Sequence, residues 1–259
     1  MSAVDTIEVT PSGAVLGATV EGIDLNEPLD TDQVQSIRDA LHRHEVLFFR
    51  AQSIPPEAQL AFGRHFGTLH THAALDALDT QSEVVVFDST EGARLATVWH
   101  SDLSCSPQPS LGSILQMVIA PDHGGNTHWA STTAAYDALD DDTKARIASL
   151  HAYHESWWQP TEQAVHPVVR THPATGRKGI YVNRGFTKRI VGLGDDESRE
   201  LLDLLCEHTT RPEFTVEHSW GAGDIAFWDN RVTQHRVDDD FGDQRRRGHR
   251  VTINGDTPF

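Results

Sequence analysis

Three side chains of the types that bind transition metals are the strongest chemical signal in this sequence. His100 and Asp102 lie two positions apart, and His235 comes much later, just after a strongly apolar stretch. Residues i and i+2 of a strand project from the same face. Two histidines and a carboxylate form a facial set that holds iron(II) and leaves the opposite face open for substrate and O₂. The spacing therefore predicts a catalytic iron site built from His100, Asp102 and His235.

Two arginines follow this set, Arg246 and Arg250, in a basic run that begins at Gln244. A run of charges is most often a solvated loop. In a strand, however, both arginines would share one face with Gly248. Arginine binds carboxylates and sulfonates through paired hydrogen bonds, because its guanidinium group is planar. If this segment is a strand, one arginine would bind a co-substrate carboxylate and the other would bind a substrate anion.

The composition favours a soluble protein and does not exclude a small anionic substrate. The chain has 259 residues, 38% hydrophobic content and a formal net charge of −17, which argues against nucleic acid and anionic membranes as partners. Cys105 and Cys206 have no paired spacing, which argues against a disulfide framework. No signal-like or membrane-spanning segment is evident. We expect one cytoplasmic domain, residues 1–259, and leave a homo-oligomer (dimer or tetramer) open.

Short apolar runs separated by turns predict many strands and few helices. Helices are predicted near residues 31–41, 53–67, 132–139, 141–150 and 195–208, and strands at 6–9, 46–49, 84–87, 113–119, 127–129 and 250–253. Residues 167–170 with 179–182, and 214–217 with 224–228, are predicted as two hairpins. This pattern indicates a mainly β fold with flanking helices and a closed or sandwiched β core.

Several motifs resemble the Fe(II)/2-oxoglutarate-dependent dioxygenases of the taurine dioxygenase (TauD/TfdA) group. They lie at residues 99–102, 124–127, 166–173, 182–187, 228–235, 244–250 and 255–256. The resemblance covers nearly the whole chain. It implies a double-stranded β-helix, the cupin-like jelly roll, with the metal at its open end.

The resemblance also implies roles for individual residues. His100, Asp102 and His235 match the iron ligands, which serve catalysis. Thr127 and Arg246 match the pair that binds the distal carboxylate of 2-oxoglutarate. The remaining matches concern the substrate: His72 and Arg250 for its sulfonate, Phe186 for an aromatic wall, and Leu103 as a further contact beside the metal motif. The implied reaction hydroxylates a small organosulfonate, taurine or an alkylsulfonate, and releases sulfite, succinate and CO₂.

Four positions depart from taurine-specific members of that group. Leu75 replaces a tyrosine, Ala96 and Val98 replace asparagines, and Cys105 replaces an aromatic residue. The anion-binding residues are kept while groups that recognise an amino end are lost, which costs specificity for a polar tail. We therefore favour a sulfonate or a sulfate ester with a less polar tail. The alternative class is the aryloxyalkanoates, with Arg250 binding a carboxylate.

Other interpretations remain open at this point. The same three ligands would suit a zinc hydrolase with a metal-bound water, and the same barrel would suit a protein that binds 2-oxoglutarate without turning it over. Residues 153–165 have no clear period and are predicted as a lid or wall, with Trp157 and Trp158 assigned to neither lid nor core. For Cys105 we favour a pocket wall over an ordinary buried thiol.

Overall fold

A computed structural model describes residues 7–71, 77–78, 81–91 and 96–259 of the chain. The helices are α1 (Thr31–His44), α2 (Pro56–Arg64), α3 (Thr132–Asp137), α4 (Asp141–Ile147) and α5 (Asp195–Thr209). The strands of the first half are β1 (Glu8–Pro11), β2 (Ala18–Glu21), β3 (Val46–Phe49), β4 (Ala77–Leu78), β5 (Gln81–Asp88), β6 (Ser110–Ile119) and β7 (Thr127–Ser131). Those of the second half are β8 (His151–Glu155), β9 (Gln163–Pro167), β10 (Val169–Thr171), β11 (Lys178–Ile180), β12 (Thr187–Ile190), β13 (Thr215–His218), β14 (Ile225–Asp229), β15 (Thr233–Val237) and β16 (Arg247–Asn254). The predicted mainly β fold with flanking helices is confirmed.

An eight-stranded sheet forms one side of the molecule, in the order β1-β2-β3-β14-β6-β16-β5-β4. β3 and β14 lie side by side near its middle and are buried along their whole length. Alternate residues of these strands face opposite sides, as pleating requires. Leu47, Phe49 and Phe227 pack with Ile37 of α1 and Phe62 of α2, so two helices cover the outer face.

A three-stranded sheet, β13-β7-β15, covers the inner face of the large sheet. Val46, Phe48 and Trp228 of the large sheet pack in one cluster with Trp129 of β7 and with Trp220, which follows β13. The interior between the sheets is thus filled with large aromatic and aliphatic side chains. Two stacked sheets with helices outside one of them correspond to the sandwiched β core expected from the pattern of strands.

The hairpin predicted at residues 214–217 and 224–228 is wrong. β13 pairs with β7 of the small sheet, whereas β14 pairs with β3 and β6 of the large sheet. The turn at residues 221–223 therefore carries the chain from one sheet to the other. Local sequence favours pairing of neighbours, but β14, apolar from Ile225 to Trp228, is stabilised more by burial in the centre of the large sheet. The hairpin of β10 and β11 is confirmed.

The strands and helices between β7 and β13 form a separate layer with its own hydrophobic cluster. β12, β8 and β9 make a small antiparallel sheet, and α3, α4 and α5 pack with it and with β10 and β11 in one hydrophobic cluster. Residues 153–165, predicted as an irregular lid or wall, instead begin in β8 and end in β9, which pair with each other. Within the described residues, no helix has the length and apolar character needed to cross a membrane.

Candidate metal centre

His100 and His235 are brought together by their backbones. They form an isolated antiparallel bridge, in which the His100 N–H donates to the His235 carbonyl at 3.1 Å and the His235 N–H donates back at 2.8 Å. Residues paired in this way project their side chains from the same face. Their ring centroids lie 4.2 Å apart. Two residues far apart in the sequence thus present both imidazoles to one point.

Asp102 completes the set from the turn after His100. Its Oδ1 atom lies 3.6 Å from His100 Nε2 and 3.8 Å from His235 Nε2. The three potential ligand atoms all lie within 4.8 Å of one another, and all three residues are buried. The structure therefore brings together the three residues that the sequence singled out as a metal-binding set.

The hydrogen bonding of His100 leaves its Nε2 atom available to bind a metal. His100 Nδ1 lies 2.9 Å from the carbonyl oxygen of Val98. A carbonyl only accepts, so Nδ1 carries the proton and a neutral ring has its lone pair on Nε2, the atom that faces Asp102. A backbone partner of this kind is the usual way in which proteins orient a metal-binding histidine.

The charges at this point also suit a divalent cation. Burial raises the pKa of the Asp102 carboxyl, but Arg250, His235 and His100 together hold that pKa well below its usual value. Burial and the neighbouring His100 lower the pKa of His235 well below its usual value, so its ring is neutral. One carboxylate and two imidazoles, all buried and directed at one point, fit a metal of the iron or zinc type.

A polar network that sequence reasoning missed anchors the other oxygen of Asp102. The Ser113 hydroxyl donates to Asp102 Oδ2 at 2.8 Å, and Asn230 Nδ2 lies 3.4 Å from the same atom. Asn230 Oδ1 also accepts from the Asp102 backbone N–H at 3.2 Å. The carboxylate is thus fixed with Oδ1 toward the histidines. Ser113 lies on β6 opposite Trp228 and gave no signal, because a single serine in an apolar strand is compatible with many roles.

Arg246 lies buried in the same region without an opposite charge beside it. Its Nε donates to the carbonyl oxygen of Gly125 at 3.1 Å, and no carboxylate of the described residues lies within 4 Å of its guanidinium. Burial lowers the pKa of Arg246 to about 10, which leaves it charged at neutral pH. A buried cation without a counterion is costly unless an anion binds beside it. Arg246 therefore marks an anion-binding position.

Arg250 contacts the metal-binding set itself. Its Nη1 lies 3.1 Å from Asp102 Oδ1, and its guanidinium lies 4.8 Å from the centre of the Phe87 ring. Its Nε is buried and has no hydrogen-bond partner in the structure. Arg250 thus combines an ion pair with a free donor group, next to the space in front of the three ligands.

A single cavity of about 640 Å³, counting the space at its open mouth, joins these groups. His100, His235, Thr127, Arg246 and Arg250 all line it. Its other lining residues are mostly apolar, namely Phe87, Ala96, Leu115, Trp228 and Val237, with Ser89 and Arg236. Two of the metal ligands, two arginines and an apolar wall therefore meet in one space.

A family model described as taurine catabolism dioxygenase TauD, TfdA family, matches residues 8–252. The chain belongs to the TauD/TfdA family. An alpha-ketoglutarate-dependent sulfate ester dioxygenase of Pseudomonas putida is 34% identical over 97% of this chain and 91% of its own length. An alkylsulfatase of Acinetobacter baylyi is 37% identical over 93% of this chain and 83% of its own.

The crystal structure of a putative alpha-ketoglutarate-dependent taurine dioxygenase from Burkholderia xenovorans superposes with a TM-score of 0.92. It is 39% identical in sequence and covers 98% of this chain and 94% of that one. The expected jelly roll, the double-stranded β-helix of the TauD/TfdA family, is thereby confirmed. The chain is a 2-oxoglutarate-dependent dioxygenase, an oxidoreductase, and membership of the TauD/TfdA family implies that it uses 2-oxoglutarate and O₂.

The substrate-binding residues suggested by the resemblance to the TauD/TfdA family are only partly brought together. Phe186 is buried with its ring centroid 6.2 Å from that of His100, but neither it nor Leu103 lines the cavity. Leu103 has a φ of 56°, a left-handed conformation that belongs to the turn carrying Asp102. His72, which was expected to bind a sulfonate, lies outside the described residues.

The four positions that depart from taurine-specific TauD/TfdA proteins differ in whether they line the cavity. Ala96 lines the cavity, as expected, and Leu75 lies outside the described residues. Val98 is half exposed and does not line the cavity; its carbonyl binds His100 instead. Cys105 is fully buried away from the cavity lining, and burial raises the pKa of its thiol to about 12. The expectation that Cys105 forms a pocket wall is therefore wrong.

Two further groups of potential ligands occur among the described residues, and both are occupied by protein partners. They are His42 with His172 and Asp229, and His128 with Glu217 and Asp238. His172 uses both ring nitrogens, one 3.0 Å from Asp229 and the other accepting backbone N–H groups. His128 lies 2.6 Å from Asp238. Of the three groups found among the described residues, the central set is the one whose members are all buried, and its two histidines line the cavity.

Proposed function

We propose that this TauD/TfdA protein is an Fe(II)-dependent enzyme that hydroxylates the carbon bearing the sulfur group of a small organosulfonate with an apolar tail. The hydroxylated product then loses sulfite and leaves an aldehyde. One atom of O₂ enters the substrate and the other enters succinate, which forms from 2-oxoglutarate with release of CO₂. The observation that supports this most directly is the cavity that the two histidine ligands share with the two arginines and the apolar wall, with Asp102 in contact with Arg250 beside it.

In this proposal His100, Asp102 and His235 hold the iron, which when bound activates O₂ for the oxidative decarboxylation of 2-oxoglutarate and the hydroxylation of the substrate. The protein supplies position and charge. Asp102 contributes the one negative charge of the set, and Ser113 keeps its carboxylate in one orientation. All three residues are buried, so the protein holds them in fixed positions around the metal.

Arg246 and Thr127 would bind the distal carboxylate of 2-oxoglutarate. Both line the cavity, and the buried guanidinium of Arg246 has no carboxylate partner among the described residues. A carboxylate would neutralise that charge and accept a hydrogen bond from the Thr127 hydroxyl. The co-substrate would then stand between Arg246 and the three ligands, with its keto acid end toward the latter.

Arg250 would bind the anionic group of the substrate. It lines the cavity beside Phe87, and its Nε is buried without a partner. The tail would lie against the apolar lining formed by Phe87, Ala96 and Leu115, where an ammonium group would lose its hydrogen bonds to water. A free amino end, as in taurine, would therefore be disfavoured relative to an alkyl chain.

An alkyl sulfate ester is the second candidate for the substrate. The names of two similar proteins, the sulfate ester dioxygenase and the alkylsulfatase, favour it. A sulfate ester offers Arg250 the same three oxygens as a sulfonate. Hydroxylation of the carbon next to the ester oxygen would release sulfate rather than sulfite, so the two candidates differ in the inorganic product.

The test is an O₂-dependent succinate assay with Fe(II), 2-oxoglutarate and a panel of taurine, longer alkylsulfonates, alkyl sulfates and aryloxyacetates. We expect succinate formation to rise most with an alkylsulfonate or an alkyl sulfate, together with release of sulfite or sulfate. If taurine were the best substrate, the proposal that the substrate has an apolar tail would be refuted. If only an aryloxyacetate increased succinate formation, the proposal that the substrate carries a sulfonate or a sulfate would be refuted.

A further inference from the structure

Trp220 makes a hydrogen bond to one of the residues that line the cavity. Its indole Nε1 lies 2.9 Å from the Oγ1 atom of Thr127, and the pair is buried. An indole N–H only donates, so the threonine oxygen is the acceptor. Trp220 follows β13 in the crossing between the two sheets and does not line the cavity itself.

This hydrogen bond determines which hydrogen bonds the Thr127 hydroxyl can still make with a ligand. A hydroxyl group has one proton and two lone pairs, and Trp220 occupies one lone pair. No described residue accepts the Thr127 hydroxyl proton in the structure, while Thr127 lines the cavity together with Arg246. The proton is therefore available to an acceptor that enters the cavity.

We propose that Trp220 is a positioning residue for 2-oxoglutarate. Its N–H occupies an acceptor position of the Thr127 hydroxyl and favours the orientation in which the O–H points into the cavity, so that Thr127 and Arg246 both direct donors toward the distal carboxylate. This inference rests on the proposed function, because it deepens the role of Thr127 there. It predicts that Trp220 favours co-substrates with a distal carboxylate and has no effect on the binding of their keto acid end.

The surroundings of Trp220 hold its indole firmly in place. Its ring packs edge-on against His218, with centroids 4.7 Å apart, and lies 6.3 Å from the ring of Trp129. The next residue, Gly221, donates its backbone N–H to Asp224 at 2.9 Å, which closes the turn that follows. Replacement of Trp220 by phenylalanine retains an aromatic ring in this cluster and removes the N–H.

Trp129 provides a matched control for this substitution. It is fully buried in the same hydrophobic cluster, but its indole Nε1 has no hydrogen-bond partner. Trp129→Phe therefore removes the same number of atoms as Trp220→Phe without removing a hydrogen bond. A difference between the two variants reports the Trp220–Thr127 bond rather than the loss of ring volume.

The experiment measures the binding of two non-reacting ligands to the Mn(II)-loaded protein by titration calorimetry. N-oxalylglycine carries the distal carboxylate of 2-oxoglutarate, whereas oxamate carries only the chelating end. We expect Trp220→Phe to weaken N-oxalylglycine binding about threefold to tenfold, the usual effect of one hydrogen bond, and to leave oxamate binding unchanged. Trp129→Phe should bind both ligands like the wild-type protein.

Thr127→Val tests the coupling between the two residues. In that background the Trp220→Phe substitution should have no further effect on N-oxalylglycine, because the bond is already absent. Equal binding by Trp220→Phe and Trp129→Phe, or an equal loss for both ligands, would overturn the role of Trp220 alone. Failure of the wild-type protein to bind N-oxalylglycine would overturn the proposed function as well.

Discussion

The two oxygens of the Asp102 carboxylate have different surroundings. Oδ1 faces both histidines and Arg250, whereas Oδ2 accepts the hydroxyl of Ser113. Rotation of the carboxylate would break the hydrogen bond from Ser113 and place a different oxygen before the histidines. Ser113 thus restricts the carboxylate to the orientation in which one oxygen completes the ligand set.

Ser113→Ala should weaken metal binding about tenfold to hundredfold, the usual effect of removing a group that orients a metal ligand. The measurement is titration of the metal-free protein with Mn(II), followed by its electron paramagnetic resonance signal. Ser110→Ala is the control, because Ser110 donates to the Asp102 backbone carbonyl and not to its carboxylate. Mn(II) binding by Ser113→Ala as tight as that of Ser110→Ala would contradict the role of Ser113.

The sequence allowed the metal-binding set to be predicted but not the groups that orient it. His100 and Asp102 have a recognisable spacing, and His235 lies in a motif of its own. Ser113 and Asn230 are neutral polar residues whose contacts depend on the packing of β6 against β14. Contacts that depend on strand pairing across more than a hundred residues leave no local pattern in the chain.

At the scale of elements, the turn before β7 positions Arg246. Gly125 has a φ of 66°, and its carbonyl accepts the Arg246 Nε at 3.1 Å. A Cβ atom on Gly125 would lie 3.0 Å from Arg246 Cδ and 3.1 Å from Phe241 Cδ1. The glycine therefore serves both the left-handed backbone and the close approach of the arginine.

Gly125→Ala should displace Arg246 and weaken N-oxalylglycine binding about tenfold, the loss of one charge-assisted hydrogen bond. Gly176→Ala is the control, since Gly176 has a φ of 71° but no atom within 4 Å of an added Cβ. Both variants should lose a similar amount of stability in urea, about 1 kcal/mol, from the left-handed backbone. Equal N-oxalylglycine binding by the two variants would show that the turn does not position Arg246.

Most elements could be predicted from local pattern, whereas the pairing of strands could not. The helix expected near residues 31–41 is α1, which Asp30 caps together with Gln33, and the apolar run of β3 is a buried strand. The hairpin assigned to β13 and β14 failed because the choice of partner depends on which sheet buries each strand. The helix expected to end at Gly67 ends at Arg64, where backbone contacts close its last turn.

At the scale of the whole molecule, each of the two sheets supplies part of the site. The small sheet supplies His235 on β15 and Thr127 on β7, while the large sheet supplies Ser113 and, on β16, Arg250. The cavity lies where their side chains meet. A single domain and a small anionic partner stay predictions, and the net charge of −17 makes the local arginines the main attraction for an anion.

The most direct test of the central claim is anaerobic addition of Fe(II) and then 2-oxoglutarate, with the visible absorption recorded. We predict the weak charge-transfer band of a 2-oxo acid chelated to Fe(II), and its loss in Asp102→Ala, which lacks the carboxylate of the ligand set. Absence of the band in wild-type protein that has bound Fe(II), or its persistence in Asp102→Ala, would contradict an iron site made of His100, Asp102 and His235.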